Sequence, residues 1–147
     1  MRRFEVTVLL LAVAVTIAAP FTRRDTERCT LDGVDVQADF RVRIIDERGT
    51  DLAFCGVRCA GRWIERSKTR PHEIHVTDVT NGEELLASEA TFVHDIQGWT
   101  ESVPDFIRVF ADESEATRHA STFGGELLRG ADVPLSFSLS GEAPTHP

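Results

Sequence analysis

One order of patterns occurs twice in this sequence: strand, strand, helix, strand. In the first half, residues 40–44 alternate. Phe40, Val42 and Ile44 share one face and Arg41 and Arg43 the other, the period of a half-buried strand. Glu47-Arg48-Gly49-Thr50 is a turn signal, and 51–55 returns as a second strand with Leu52 and Phe54 on one face. Residues 57–64 then take helical spacing, Val57, Ala60 and Ile64 forming a stripe beside Trp63. Pro71 bars the helix from continuing, and 74–79 alternates again before the turn Thr80-Asn81-Gly82. The second half reads as strands over 90–94 and 107–110, then a helix opened by Asp112-Glu113-Ser114. That helix has the stripe Ala116, Ala120 and Phe123, stops at Gly124-Gly125, and precedes a short strand at Leu127 and Leu128. Units of this size bury too little surface to stand alone, so the two are expected to pack together. The fold class that follows is α+β: two packed strand-strand-helix-strand units, about 29–80 and 86–133, in one domain over 29–133.

Arg2 and Arg3 precede an apolar run over 6–19 that only Thr7 and Thr16 interrupt, the layout of a secretory signal. The run is shorter than the ~20 residues of a relaxed membrane span. Proline directly follows the small residues Ala18 and Ala19, which makes a poor cleavage end. Residues 1–21 are therefore read as a signal peptide or an uncleaved signal anchor, 22–28 as a linker, and 134–147 as a flexible tail. The expected location is extracytoplasmic, in the periplasm, with membrane attachment through the N-terminal segment if it stays uncleaved.

Charge narrows the function. After Pro20 the chain carries 14 basic residues against 23 acidic ones. That balance argues against a phosphate-binding surface, so no nucleic-acid partner is expected. No glycine-rich phosphate loop, nucleophile elbow or isolated acid pair marks catalysis, and the chain is read as a non-enzyme. The single methionine is Met1, so no thioether is available downstream to bind a soft metal.

The chemistry that remains is sulfur. Cysteines stand at 29, 55 and 59. Cys29 enters a turn, Leu31-Asp32-Gly33; Cys55 ends a strand; Cys59 lies in the first turn of the following helix, where residues four apart share a face. The helix dipole there is expected to favour thiolate, the metal-binding form. Spacing leaves two readings open: a metal site built from all three thiolates, or a disulfide from Cys29 to Cys55 or Cys59 with one free thiol. A candidate fourth ligand is His94, which follows a strand and could be oriented by Asp95. His72 and His75 flank Glu73 and are read as solvent-exposed on opposite sides of a strand, and His119 as a surface residue.

The run Cys29-Thr30-Leu31-Asp32-Gly33, the strand at 40–45, Phe54-Cys55, Cys59-Ala60 and Trp63 together resemble the nitrous oxide reductase accessory protein (NosL) family. More loosely, they resemble the YHS and TRASH metal-binding domains. The stretches 74–78, 87–94 and 103–128 extend the likeness, and the order of the motifs carries it. The resemblance implies an exported metal-binding protein of two related units, a copper chaperone or trafficking factor whose partner is a metalloenzyme or metal transporter. In one respect the chain departs from the family: Leu31 stands where a methionine is expected, while Cys55 and Cys59 match the YHS and TRASH pattern. The candidate ligands are Cys29, Cys55, Cys59 and His94, holding Cu(I) or alternatively Zn(II). The competing reading is an interaction module held by structural zinc or a disulfide, without a transport role.

Overall fold

Alternating burial along Val42 and Ile44 and a helical stripe at Val57, Ala60 and Ile64 set the first half of the architecture. The computed structural model describes residues 27–96 and 106–135. Residues 1–21, read as a signal peptide or anchor, linker residues 22–26, Trp99 and tail residues 136–147 lie outside the described residues. The elements in chain order are β1 (Val42–Asp46), β2 (Asp51–Phe54), α1 (Val57–Ser67), β3 (Pro71–Thr77) and β4 (Glu84–Leu86). There follow β5 (Thr91–Asp95), β6 (Ile107–Phe110), α2 (Glu113–Phe123) and β7 (Gly125–Leu128).

The described residues form two antiparallel sheets, ordered β2-β1-β3-β4 and β6-β5-β7. In each, the first strand is central, its hairpin partner lies on one side, and the strand after the helix lies on the other. The α+β class and the repeated element order are those read from the sequence. β4 is an addition, since three residues are too few to show a period. It edges the first sheet, where Glu84 bridges Arg41 at 2.6 Å and Arg43 at 3.0 Å. Arg43 also binds Asp51 across the β1–β2 ladder. Arg41, just before β1, and Arg43 within it thus hold the exposed face while Val42 and Ile44 fill the core.

One apolar core joins the two units. Val42, Ile44, Phe54 and Val76 from the first pack with Phe92, Ile107, Val109 and Leu135 from later in the chain. A smaller cluster of Val93, Phe110, Ala116 and Ala120 seats α2 on the second sheet. Phe123 departs from the expected stripe and is 56% exposed. It is the last helical residue before Gly124 turns left-handed (φ 73°), and its ring lies against His119 rather than the sheet. On α1, Gly61 is required by close approach: a Cβ there would meet the Pro134 carbonyl oxygen at 2.7 Å.

The repeat extends to a turn that introduces each half. In the segment beginning at Cys29, the Cys29 amide donates to Val34 O at 2.8 Å and Gly33 N donates back to Cys29 O at 2.8 Å. In the segment beginning at Asp78, the Asp78 amide donates to Glu83 O at 2.9 Å and Gly82 N to Asp78 O at 2.8 Å. Gly33 and Gly82 share a left-handed conformation, φ 74° and 75°. Each turn is clipped to the second strand of its unit, by Thr30 N to Ala53 O (2.8 Å) and by Val79 N to Val109 O (2.9 Å).

Candidate metal centre

The clip between Thr30 and Ala53 brings the first turn to the end of β2. Cys29 precedes that clip; Cys55 follows the last residue of β2; Cys59 lies within the first turn of α1. Two segments distant in sequence, 29–32 and 55–59, thereby meet at one point. Ligand atoms of Cys29, Asp32, Cys55 and Cys59 all lie within 4.8 Å of one another. Cys55 Sγ is 3.3 Å from Cys59 Sγ, and Asp32 Oδ2 stands 3.4 Å from Cys59 Sγ and 4.0 Å from Cys55 Sγ. Metal–sulfur bonds of about 2.3 Å in tetrahedral geometry separate two sulfurs by about 3.8 Å, so small movements would bring the set around one ion. The three cysteines are free thiols. Cys29 and Cys55 are 3% and 2% exposed, Cys59 is half-buried and Asp32 exposed, so the site opens to solvent on its Asp32 side.

Burial sets the protonation of these groups. Desolvation pushes the Cys55 thiol from its ordinary 9.0 up to about 11. Desolvation also raises Cys59, reinforced by its hydrogen bond to Cys55, the neighbouring sulfur's charge and the Asp32 carboxylate. The expected helix-dipole lowering is thus overturned: loss of water around the sulfurs outweighs a fractional charge at the helix end. Desolvation works to raise the Asp32 carboxyl too, yet bonds from the Cys29 thiol, the Val34 amide and the Cys59 thiol hold it below the ordinary 3.8. Without a cation, the pocket pairs neutral thiols with a carboxylate. A cation that displaced the thiol protons would find three sulfur donors and one oxygen donor already gathered.

The three sequence-predicted cysteines are brought together. His94 lies elsewhere: its Nε2 is 2.9 Å from Nη2 of Arg58, outside the four-donor group. Asp95 does not serve His94 either. Its two oxygens take Arg108 Nε at 3.0 Å and His119 Nε2 at 2.9 Å. His119, read from the sequence as a surface residue, is instead packed between Phe110 and Phe123 at ring separations of 5.2 and 4.8 Å. His75 pairs with Glu73 at 2.9 Å. Asp32 is the member sequence reasoning missed. An Asp-Gly turn explains itself, and only the spacing of an acid three residues after Cys29 pointed to anything more.

No protein-family model matches the chain, and no curated protein matches it. A solved structure does. The copper chaperone NosL from Shewanella denitrificans superposes with a TM-score of 0.60 at 19% sequence identity, covering 75% of this chain and 91% of that one. At this identity the likeness establishes the architecture: the NosL-like fold implied by the order of motifs is the fold of this chain.

Proposed function

We propose that this protein is an exported, non-catalytic carrier of Cu(I), held by the thiolates of Cys29, Cys55 and Cys59 and passed to a metalloenzyme or metal-transport partner. The observation that carries this reading is the convergence of the three sulfurs, from two segments distant in sequence, within 4.8 Å. Soft, polarisable thiolates prefer Cu(I), and three of them satisfy a trigonal site without a thioether. The solved neighbour is named a copper chaperone, which supports the same cargo. Export rests on the basic start and apolar run at the N-terminus, with the periplasm as destination and the inner membrane as the anchor if that run is retained. Among the described residues, no helix is long and apolar enough to cross a membrane.

The repeat weighs against a merely structural metal. Backbone hydrogen bonds close the turn at Cys29–Val34, the same two that close the turn at Asp78–Glu83, where no cysteine stands. Partial exposure of Cys59 and Asp32 leaves a path by which an ion can enter and leave. Anaerobic titration of the reduced protein with Cu(I), competed against a coloured chelator, tests the reading. One Cu(I) per chain is expected, lost when Cys55→Ser and Cys59→Ser are combined, with the fold intact after chelation. Binding that survives the double substitution contradicts it, and unfolding on chelation favours a structural zinc site.

A further inference from the structure

Asp32 is tied into its turn through one carboxylate oxygen only. Oδ1 accepts from the Val34 amide at 3.1 Å, while Oδ2 faces the Cys59 and Cys55 sulfurs. The second unit shows what the turn itself needs. Asn81 occupies the equivalent place, its Oδ1 accepts from the Glu83 amide at 2.8 Å, and the following Gly82 keeps the same left-handed backbone. A neutral amide therefore builds this turn as well as a carboxylate does. The charge and the second oxygen of Asp32 are surplus to folding, and both are directed at the thiols. A cation between oxygen and sulfur would draw on all four donors at once.

We propose that Asp32 is a fourth donor that admits divalent, zinc-type cations to the site, whereas Cu(I) takes the three sulfurs without it. The inference rests on the cysteines being ligands. Zn(II) takes four donors in tetrahedral array and accepts carboxylate oxygen at about 2.0–2.2 Å beside thiolate sulfur. Cu(I), softer and singly charged, gains little from a hard oxygen. Charge points the same way, because the extra positive charge of a divalent ion is balanced by the extra negative charge of the carboxylate. Binding releases the thiol protons to solvent as metal–sulfur bonds form, and no electrons are transferred.

The test compares the full-length chain with Asp32→Asn, both reduced and anaerobic, using two probes: Co(II), as a spectroscopic substitute for Zn(II), and Cu(I) competed against a chelator. The unsubstituted chain is expected to bind one Co(II) with sulfur-to-cobalt charge-transfer and tetrahedral d–d bands. Asp32→Asn is expected to weaken Co(II) by at least about tenfold, the scale on which partners of metal sites act, and to move the d–d bands. Its Cu(I) affinity stays unchanged. Equal weakening of both ions, an unaltered Co(II) affinity and spectrum, or Cu(I) binding without any Co(II) binding by the unsubstituted chain each overturns the role given to Asp32. Failure of the unsubstituted chain to bind either ion overturns the ligand reading instead. Asn81 indicates that an asparagine folds in this turn; Asp32→Ser, whose hydroxyl makes the weaker turn bond, provides a second variant with the same expected ion discrimination.

Discussion

Cys29 and Asp78 stand at the same place in the two halves of the fold. Each opens a turn whose sixth residue accepts its amide hydrogen and whose glycine donates to its carbonyl. Cys29 turns a sulfur toward Cys55 and Cys59. Asp78, 3% exposed, turns a carboxylate inward to accept from the amides of Thr80 at 2.7 Å and Ala111 at 3.0 Å. Ala111 follows β6 as Cys55 follows β2. The carboxylate of Asp78 thus ties its turn to the residue after β6, while the same place in the first half holds a cluster of sulfur donors.

That division predicts opposite outcomes in the two halves. Asp78→Ala removes a buried acceptor and leaves the Ala111 amide without this partner, a loss of about 1.5–3 kcal/mol for a bond to a charged group. Urea unfolding is expected to show that loss, with Cu(I) stoichiometry unchanged. A stability within error of the unsubstituted chain would show that Asp78 does not hold the second turn.

The raised thiols predict how the metal-free protein responds to pH. Cys55 titrates near 11 when folded and near 9.0 when exposed, so the folded state holds the proton more tightly. Stability from this group is complete below about pH 9 and is lost as pH rises toward 11, because the unfolded chain ionises first. Thermal midpoints of the reduced protein should fall across that window, and Cys55→Ala should flatten the fall. Alkylation at neutral pH should be slow for the same reason, since the thiolate is the nucleophile. Rapid alkylation of Cys55 at pH 7 would contradict the buried, neutral assignment.

Packing at α1 predicts a steric effect that exceeds helix propensity. Gly61→Ala gains at most about 1 kcal/mol as a better helix former. Its Cβ, however, would stand 2.7 Å from Pro134 O and 2.9 Å from Pro134 Cβ, and backbone cannot yield as a flexible side chain does. Overpacking of this kind costs about 1–3 kcal/mol, so net destabilisation is expected in thermal unfolding. An unchanged or raised midpoint would mean that the segment at Pro134 does not press on the helix that carries Cys59.

Much of this architecture is legible in short runs of residues, because a half-buried strand and an amphipathic helix each leave a period. Val42 and Ile44 announce β1; Val57, Ala60 and Ile64 announce α1; the same order downstream announces the second unit. Residues whose partners are distant leave no such trace. Asp32 reads as a turn former, and only the clip from Thr30 to Ala53 brings it beside Cys55. Asp78 reads as part of an alternating strand, although its carboxylate caps Ala111 across the molecule. His119 sits among polar helix residues, and its burial depends on Phe110 and Asp95 from other strands. The thiol pKa values follow the same rule: helix position is local and visible, while desolvation comes from the assembled core.

Copper K-edge X-ray absorption on the Cu(I)-loaded, full-length protein tests the central claim most directly. The account predicts one copper per chain with a first shell of three sulfurs, reduced to two when Cys29→Ser is introduced. A first shell dominated by nitrogen or oxygen, or a spectrum that Cys29→Ser leaves unchanged, would contradict it.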